Sequence, residues 1–257
     1  MGSETTGGAV VTGRANRLVT TGCLTLLIVL ITVLGIPVSW LWYRHWHDGN
    51  VNSERRERAR AAIEKQARAR AGATDRALDA SGTTDVDALT GVVWQHSKAP
   101  VITYDASRRE FTATAASAAH YDAKAILPGG GSGRVTGCFV FTFTRHPGQG
   151  WTSQVSERDD ATCRPSTQIG HRVRLALTRI SGMDADDLTP DGIQNALDPT
   201  QRRSFDVNKV VPEGDTTTVF VLVSSSHAGT CQCYRFTRPV PDGAGRGPAT
   251  AVPASSC

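Results

Sequence analysis

The longest uninterrupted apolar stretch of the chain runs from Leu18 to Tyr43 and contains no Asp, Glu, Lys, Arg or His. A helix rises about 1.5 Å per residue, so roughly 20 apolar residues cross a hydrocarbon core of about 30 Å. The pattern therefore predicts a transmembrane helix at 18–43. A cleaved signal peptide is the alternative, but its apolar region spans about 7–15 residues and ends in a small-residue pattern that this segment lacks.

Aromatic residues cluster at the C-terminal end of this apolar run. They are Trp40, Trp42, Tyr43 and Trp46. Amphipathic rings favour the headgroup level of a bilayer. We therefore expect these four residues to form a membrane-interface belt, with the lipid bilayer as the partner of the segment.

The next segment, 44–80, alternates between charged and small residues at helical spacing. Asp48-Gly49-Asn50 predicts a break in the helix, and Ser53 is a suitable cap for a new one. The apolar positions are few and small, which predicts a charged juxtamembrane stalk helix exposed on most faces. They are Ala59, Ala62, Ile63 and Ala67. The alternative is that the arginines of this helix bind anionic headgroups.

From residue 101 the hydrophobic pattern changes to a period of two, which is typical of β-strands. Phe139, Phe141 and Phe143 fall on one face of the clearest segment, 135–145, and predict an antiparallel sheet with a buried phenylalanine face. The segment 171–180 alternates like a strand but also allows a helix. The predicted strands are 101–104, 110–117, 135–145, 151–157, 171–180, 216–224 and 230–238.

Two short helices are also predicted. One covers 85–97 with Thr84 or Asp85 as its cap, and the other covers 188–197 with Thr189 as its cap and Pro190 in its first turn. The order of elements indicates an α+β fold: a transmembrane helix, a stalk helix and a small, mostly antiparallel domain at 84–240. Composition predicts that the tails, 1–17 and 241–257, are disordered or flexible.

This layout is similar in outline to that of bacterial cell-envelope proteins with one N-terminal anchor and a curved sheet packed on helices. Cystatin-like and nuclear-transport-factor-like domains are examples. The similarity lies in the order of the elements, since no sequence motif carries it. The preference for Arg over Lys, with abundant Ala, Gly, Thr and Asp, is typical of a GC-rich bacterial genome.

Charge and cysteine content give opposite indications of membrane orientation. Arginines are more numerous after the apolar run than before it, and by the positive-inside rule this favours a cytoplasmic domain. However, long domains translocate largely regardless of flanking charge, and five downstream cysteines are unusual for a reducing compartment. We therefore expect a cytoplasmic N-terminus and an extracytoplasmic domain in the cell membrane. The net charge of +4 does not indicate a nucleic-acid partner.

The five cysteines predict two disulfides and one free thiol. We expect one bridge between Cys138 and Cys163, and a second that joins Cys257 to either Cys231 or Cys233. The alternative is a redox dithiol formed by Cys231 and Cys233. Such a site needs a depressed thiol pKa, which usually comes from a helix N-terminus or a nearby cation, whereas these residues lie in a predicted strand.

Other patterns of catalytic or metal-binding residues do not reach the required spacing. The glycine-rich segment 127–134 lacks the Gly-Lys-Ser/Thr of a phosphate loop, and the acidic segment 184–187 departs from a calcium loop. We therefore predict no metal and no cofactor. The leading hypothesis is a non-enzymatic binding or assembly domain whose partner is a protein or a second copy of the chain. The rival is a membrane-tethered enzyme, either thiol-based or a hydrolase whose residues are brought together by the fold.

Overall fold

The computed structural model describes residues 12–123, 131–200, 202–226, 229–240 and 246–257. The chain divides into two compact units, 1–55 with 122–132 and 56–121 with 133–257. Over the described residues it forms four α-helices, one 3-10 turn and two four-stranded antiparallel sheets. The predicted α+β class is confirmed, and the single sheet that we expected is replaced by two.

The first unit contains the apolar run, which lies within helix α1 (Thr12–Ser81). The stretch Thr25–Tyr43 is long and apolar enough to cross a membrane, and none of it is buried. Membrane anchors and N-terminal signal sequences share these properties. Of the tail predicted to be disordered, residues 1–11 lie outside the described residues, whereas 12–17 are helical.

The predicted break at Asp48-Gly49-Asn50 is wrong, because α1 continues through these residues. Ser53 does not cap a new helix; its hydroxyl donates to the main-chain oxygen of Asn50 at 2.7 Å within α1. A glycine in a helix interior costs about 1 kcal/mol relative to alanine. Helix propagation is cooperative, so a long helix tolerates this cost.

When α1 is counted as the first long helix, the elements of the chain show one order twice. The first set is α2 (Val86–Ser97), β1 (Val101–Asp105), β2 (Glu110–Ala123), β3 (Gly131–His146) and β4 (Gly150–Arg158). The second set is α3 (Asp160–Gly182), a 3-10 turn (Ala185–Asp187), α4 (Pro190–Leu197), β5 (Phe205–Glu213), β6 (Thr216–Ser224), β7 (Cys231–Pro239) and β8 (Thr250–Ala254). Each set ends in four strands that pair in chain order. The second half of the chain therefore repeats a long helix, a short helix and a four-stranded meander.

In the second unit, one stripe of the end of α1 belongs to a hydrophobic core, so this part of the predicted stalk helix packs against the domain. Its buried positions are Ala59, Ile63, Ala67, Ala71 and Leu78, each at most 9% exposed. They pack in one cluster with the phenylalanines of β2 and β3 and with α2. The small side chains make the apolar stripe thin in sequence, yet small side chains are what a helix needs to approach a sheet closely. The burial of a thin stripe thus depends on what lies opposite it.

Several local predictions are confirmed. Phe139, Phe141 and Phe143 of β3 are each at most 1% exposed. The carboxylate of Asp85 accepts from the main-chain nitrogen of Ala88 at 2.9 Å and caps α2. The Thr189 hydroxyl caps α4 in the same way, with Pro190 at the first helical position. These signals are local, so the sequence reveals them directly.

The strand prediction for 171–180 is wrong, and the helical alternative is right, because the segment lies within α3. Ile169, Val173, Ala176 and Ile180 recur every three or four residues and are buried against sheet β5–β8. The alternation of Val173, Leu175 and Leu177 is coincidental, since Leu175 is on the exposed side of the helix. The longer window from Asp160 contains the helical period.

Two strands were not predicted from the sequence, β5 and β8. Strand β5 contains a register irregularity between Val207 and Lys209, and the side-chain amide of Gln194 bonds the main chain of Phe205 and of Val207. Strand β8 lies in the tail 241–257 that composition predicts to be flexible, so for 250–254 this prediction is corrected. Its Pro253 is tolerated because β8 is an edge strand.

Buried polar side chains join the two halves of the second unit. The main-chain nitrogen of Ile102 in β1 donates to the side-chain oxygen of Gln232 in β7 at 2.9 Å. The amide nitrogen of Gln232 in turn donates to the main-chain oxygen of Ala254 in β8 at 2.9 Å. The Tyr234 hydroxyl donates to the main-chain oxygen of Pro100 at 2.5 Å, and burial raises the pKa of this hydroxyl. The edge of β1 that does not pair with β2 is therefore covered by the second sheet.

Candidate functional site

The structure forms two disulfides from the predicted cysteines. Cys138 in β3 is bonded to Cys163 in α3, with a Cα–Cα distance of 5.6 Å. Cys257 is bonded to Cys233 in β7, with a Cα–Cα distance of 5.4 Å, which decides between the two partners considered for it. The first bridge links the two repeated halves. The second fastens the C-terminal residue to sheet β5–β8.

The dithiol hypothesis required Cys231 and Cys233 to act as a pair. In the structure, Cys233 is bonded to Cys257, and Cys231 is exposed with a free thiol. The two residues lie at the start of β7, and neither is placed at a helix N-terminus. The free dithiol that this hypothesis requires is therefore not formed, because one of its two sulfurs is bonded to Cys257.

The predicted interface belt lies on α1 within the first unit. The side chains of Trp40, Trp42, Tyr43 and Trp46 are 54%, 73%, 61% and 61% exposed. The Tyr43 ring stacks on His47 with ring centres 6.1 Å apart. All four aromatic side chains are thus accessible from outside the protein, as a headgroup contact requires.

The acidic segment and the glycine-rich segment do not form sites in the described residues. Asp184 forms an ion pair with Arg246 at 3.3 Å, and Ala185–Asp187 is a 3-10 turn. The part 124–130 of the glycine-rich segment lies outside the described residues. Over the described ranges, His, Cys, Asp and Glu side chains form no group of three or more that could hold a metal ion.

A cleft of about 560 Å³ lies in the second unit between the C-terminal end of α1 and the tips of two hairpins. Helix α1 ends at Ser81, and Gly82, with φ of +62°, turns the chain away toward α2. The sheet continues beyond this point as the β1–β2 and β3–β4 hairpins. The cleft is lined by apolar residues (Leu78, Leu89, Tyr104 and Trp151) and by polar ones that include Asp79, Arg109, Arg145 and His146.

Arg145 lies in the cleft because it continues the phenylalanine face of β3. The residues of a strand alternate between its faces, so the series Phe139, Phe141, Phe143 leads to Arg145 on the same face. Arg145 is paired in register with Trp151 of β4. Sequence reasoning missed this residue, although the change from Phe to Arg within one alternating series was the available signal.

Arg109 reaches the same cleft from the β1–β2 turn. Its φ of +52° is uncommon for a non-glycine residue, and its main-chain oxygen accepts from the nitrogen of Arg145 at 3.1 Å. The adjacent Arg108 does not line the cleft; it forms an ion pair with Asp105 at 3.8 Å. The backbone bond holds the two cleft arginines close together.

Asp79 is the carboxylate that lines the cleft, and it accepts a hydrogen bond from the main chain. It accepts from the nitrogen of Trp151 at 2.9 Å, which satisfies a donor of strand β4. A Cβ atom at Gly150 would lie 2.7 Å from the nearer Asp79 oxygen, and Gly150 has a φ of +83°. Only glycine combines a positive φ with the absence of a Cβ that would clash with Asp79. The sharp turn of the hairpin and the position of Asp79 therefore depend on each other.

One turn earlier on α1, Asp75 accepts from the Ser153 hydroxyl at 2.6 Å. Burial raises the pKa of the Asp75 carboxyl, and the nearby Asp79 charge raises it further, against the lowering effect of the Ser153 bond. A raised carboxyl pKa means that the folded state binds this proton more tightly than the unfolded state. Stability is therefore lost as pH rises from the ordinary Asp value through the raised one.

Replacing Asp75 with asparagine is expected to remove this loss. The difference in unfolding free energy between D75N and the parent should shift in favour of the variant as pH rises from about 3 to about 7. Urea unfolding at several pH values measures it. Ser153→Ala should act in the opposite direction, because it removes a bond that favours the charged carboxylate. A pH-independent difference between D75N and the parent would contradict the argument.

Two other clefts of the second unit each contain a charged group that already has a partner within the protein. The one beside α4 and β5 contains Asp198, which accepts from the main-chain nitrogens of Arg202 and Ser204. The one beside the start of α3 contains the ion pair between Arg60 and Glu157, at 2.9 Å. The hairpin-tip cleft combines its charges with an apolar wall, which makes it the stronger candidate for a ligand.

Searches against models of protein families, curated proteins and solved structures find no match to this chain.

Proposed function

We propose that this chain is a single-pass membrane protein of a bacterial cell envelope, with its N-terminus in the cytoplasm. Residues 56–257 contain the folded domain, which lies outside the cytoplasm and acts in binding or assembly without catalysis. The observation that supports a location outside the cytoplasm is the pair of disulfides, Cys138–Cys163 and Cys233–Cys257. Such bonds persist in oxidising compartments and are rare where thiols are kept reduced.

The anchor is supported by the character of α1. The stretch Thr25–Tyr43 exposes its large apolar side chains throughout, and such a surface is stable in hydrocarbon and not in water. The aromatic residues Trp40 to Trp46 follow at its end, where an interface favours them. The length of the apolar run and its aromatic end favour an anchor over a cleaved leader.

The binding role is supported by the hairpin-tip cleft. It combines an apolar lining with two arginines at fixed backbone positions, an arrangement typical of ligand sites. A protein partner, a second copy of the chain or a small ligand are the occupants that this role allows.

A dual topology reporter fused after Cys257 tests the location. We expect alkaline phosphatase, which is active outside the cytoplasm, to be active at this position, and a cytoplasmic fluorescent reporter to stay dark. The matched control lacks 18–43 and should reverse both signals. An epitope at the N-terminus that stays on the mature protein distinguishes an anchor from a cleaved leader. A fluorescent cytoplasmic reporter on the full chain would contradict the proposed location.

A further inference from the structure

The cleft at the hairpin tips carries unbalanced positive charge. Arg109 and Arg145 line it with exposed side chains, and neither guanidinium has a carboxylate within ion-pair distance among the described residues. The carboxylate of Asp79 is engaged by the main-chain nitrogen of Trp151. His146 adds a further nitrogen donor to the same rim. Two guanidinium groups are thus available for an anion.

The backbone holds these two arginines in place before any ligand arrives. The nitrogen of Arg145 donates to the oxygen of Arg109, which ties the turn of one hairpin to the strand of the other. Arg109 adopts a left-handed conformation, a costly state for a residue with a side chain, and such conformations concentrate at ligand sites. Two planar guanidinium forks match the oxygens of a carboxylate or a phosphate.

Apolar side chains line the deeper part of the cleft. The rings of Tyr104 and Phe111 lie 4.6 Å apart, and those of Phe111 and Trp151 lie 5.7 Å apart, so an aromatic row crosses the sheet beneath the opening. Leu78 and Leu89 complete this wall. The volume of about 560 Å³ lies in the range of small-molecule sites, about 300–1,000 Å³.

We propose that this cleft binds a small molecule that carries one oxyanion group, a carboxylate or a phosphate, on an apolar or aromatic body. Arg109 and Arg145 donate to the oxyanion, and the wall formed by Tyr104 and Trp151 contacts the body of the ligand. The inference rests on the proposed binding role and adds the chemical class of the ligand to it. It does not depend on the side of the membrane on which the domain lies.

Calorimetric titration of the full-length protein in an uncharged detergent tests this proposal with three probes of similar size. Phenyl phosphate and benzoate carry the oxyanion, and benzyl alcohol is the neutral control. We expect at least one of the two anions to bind and benzyl alcohol to bind at least about tenfold more weakly. The tighter anion identifies which oxyanion the cleft prefers.

Variants of neighbouring arginines distinguish anion binding in the cleft from a general effect of the positive charge of the protein. Arg109→Gln and Arg145→Leu should each weaken the anion at least about tenfold, and Arg145→Lys should restore part of the loss by keeping the charge. Arg108→Gln removes the same charge from the same turn outside the cleft and should leave the affinity unchanged. Circular dichroism shows whether each variant is folded. If Arg145→Leu does not fold, the affinity of Arg109→Gln alone tests the proposal.

Three results would overturn the ligand assignment: no heat with either anion, equal binding of benzyl alcohol, or an equal loss in Arg108→Gln. None of them bears on the topology reporter, which is read from the orientation of the full chain. A silent external reporter with intact anion binding would in turn overturn only the proposed location.

Discussion

Replacing Ile63 with alanine is expected to lower the free energy of unfolding by about 2–5 kcal/mol. Ile63 is 2% exposed and packs in the core formed by α1, α2 and sheet β1–β4. The substitution removes buried methyl and methylene groups and leaves a cavity that the rigid sheet cannot fill. A solvated stalk helix would lose almost nothing from the same change, so the variant separates the two views of 56–81.

Urea unfolding of the full-length protein, followed by tryptophan fluorescence, measures this effect, because Trp94 and Trp151 both pack in that core. Lys65→Ala is the matched control, since Lys65 lies two residues along the same helix with an exposed side chain. It should change stability by no more than about 0.5 kcal/mol. Equal and small effects of the two substitutions would restore the stalk interpretation.

Removing the Cys138–Cys163 bridge with the double substitution Cys138→Ser/Cys163→Ser is expected to cost about 3.5 kcal/mol. The estimate follows from the entropy that a cross-link removes from the unfolded chain when it closes a loop of 25 residues. Both sulfurs are buried, so two hydroxyls in their place add a desolvation penalty. The bond also joins β3 to α3, and its loss should weaken the contact between the repeated halves.

Thermal unfolding with and without reductant provides the measurement. The double variant should match the reduced parent more closely than the oxidised parent, after allowance for the second bridge at Cys233–Cys257. Cys231→Ser serves as the control, because this thiol is exposed and forms no disulfide, and it should leave the transition unchanged. An oxidised parent no more stable than the double variant would show that the bridge does not stabilise the fold.

The two predictions together link stability to the proposed location. The second unit buries two cores, and a covalent bond between its halves supplements them. Outside the cytoplasm this bond would persist, whereas in a reducing compartment the domain would depend on the cores and on polar contacts such as Gln232. The expected cost of reduction is therefore also the cost of placing the domain in a reducing compartment.

Features with a local physical cause were predictable from the sequence. The phenylalanine alternation of β3 and the caps Asp85 and Thr189 depend on residues that are close in the chain. The bridge between Cys138 and Cys163 was also expected from the sequence, and the structure forms it. Such signals do not require knowledge of which helices and strands pack against each other.

Features that depend on a distant partner were not predictable. Strand β8 is a Pro- and Ala-rich segment whose order comes from pairing with β7 and from the bond at Cys257. Strand β5 has weak alternation and is held by the side chain of Gln194. The cleft required two hairpins and a helix end to meet, so Arg109 and Arg145, 36 positions apart in sequence, could not be linked beforehand.

The sequence by itself determined that the chain has one apolar helix able to cross a membrane, followed by an α+β region rich in cysteine. These conclusions need only counts and periods, because hydrocarbon solubility and strand alternation are properties of consecutive residues. The tertiary structure decided that one stripe of 56–81 packs into a core, that the β-rich region is two sheets, and which residues form the cleft. Burial depends on the surface that lies opposite each residue, and that surface comes from elsewhere in the chain.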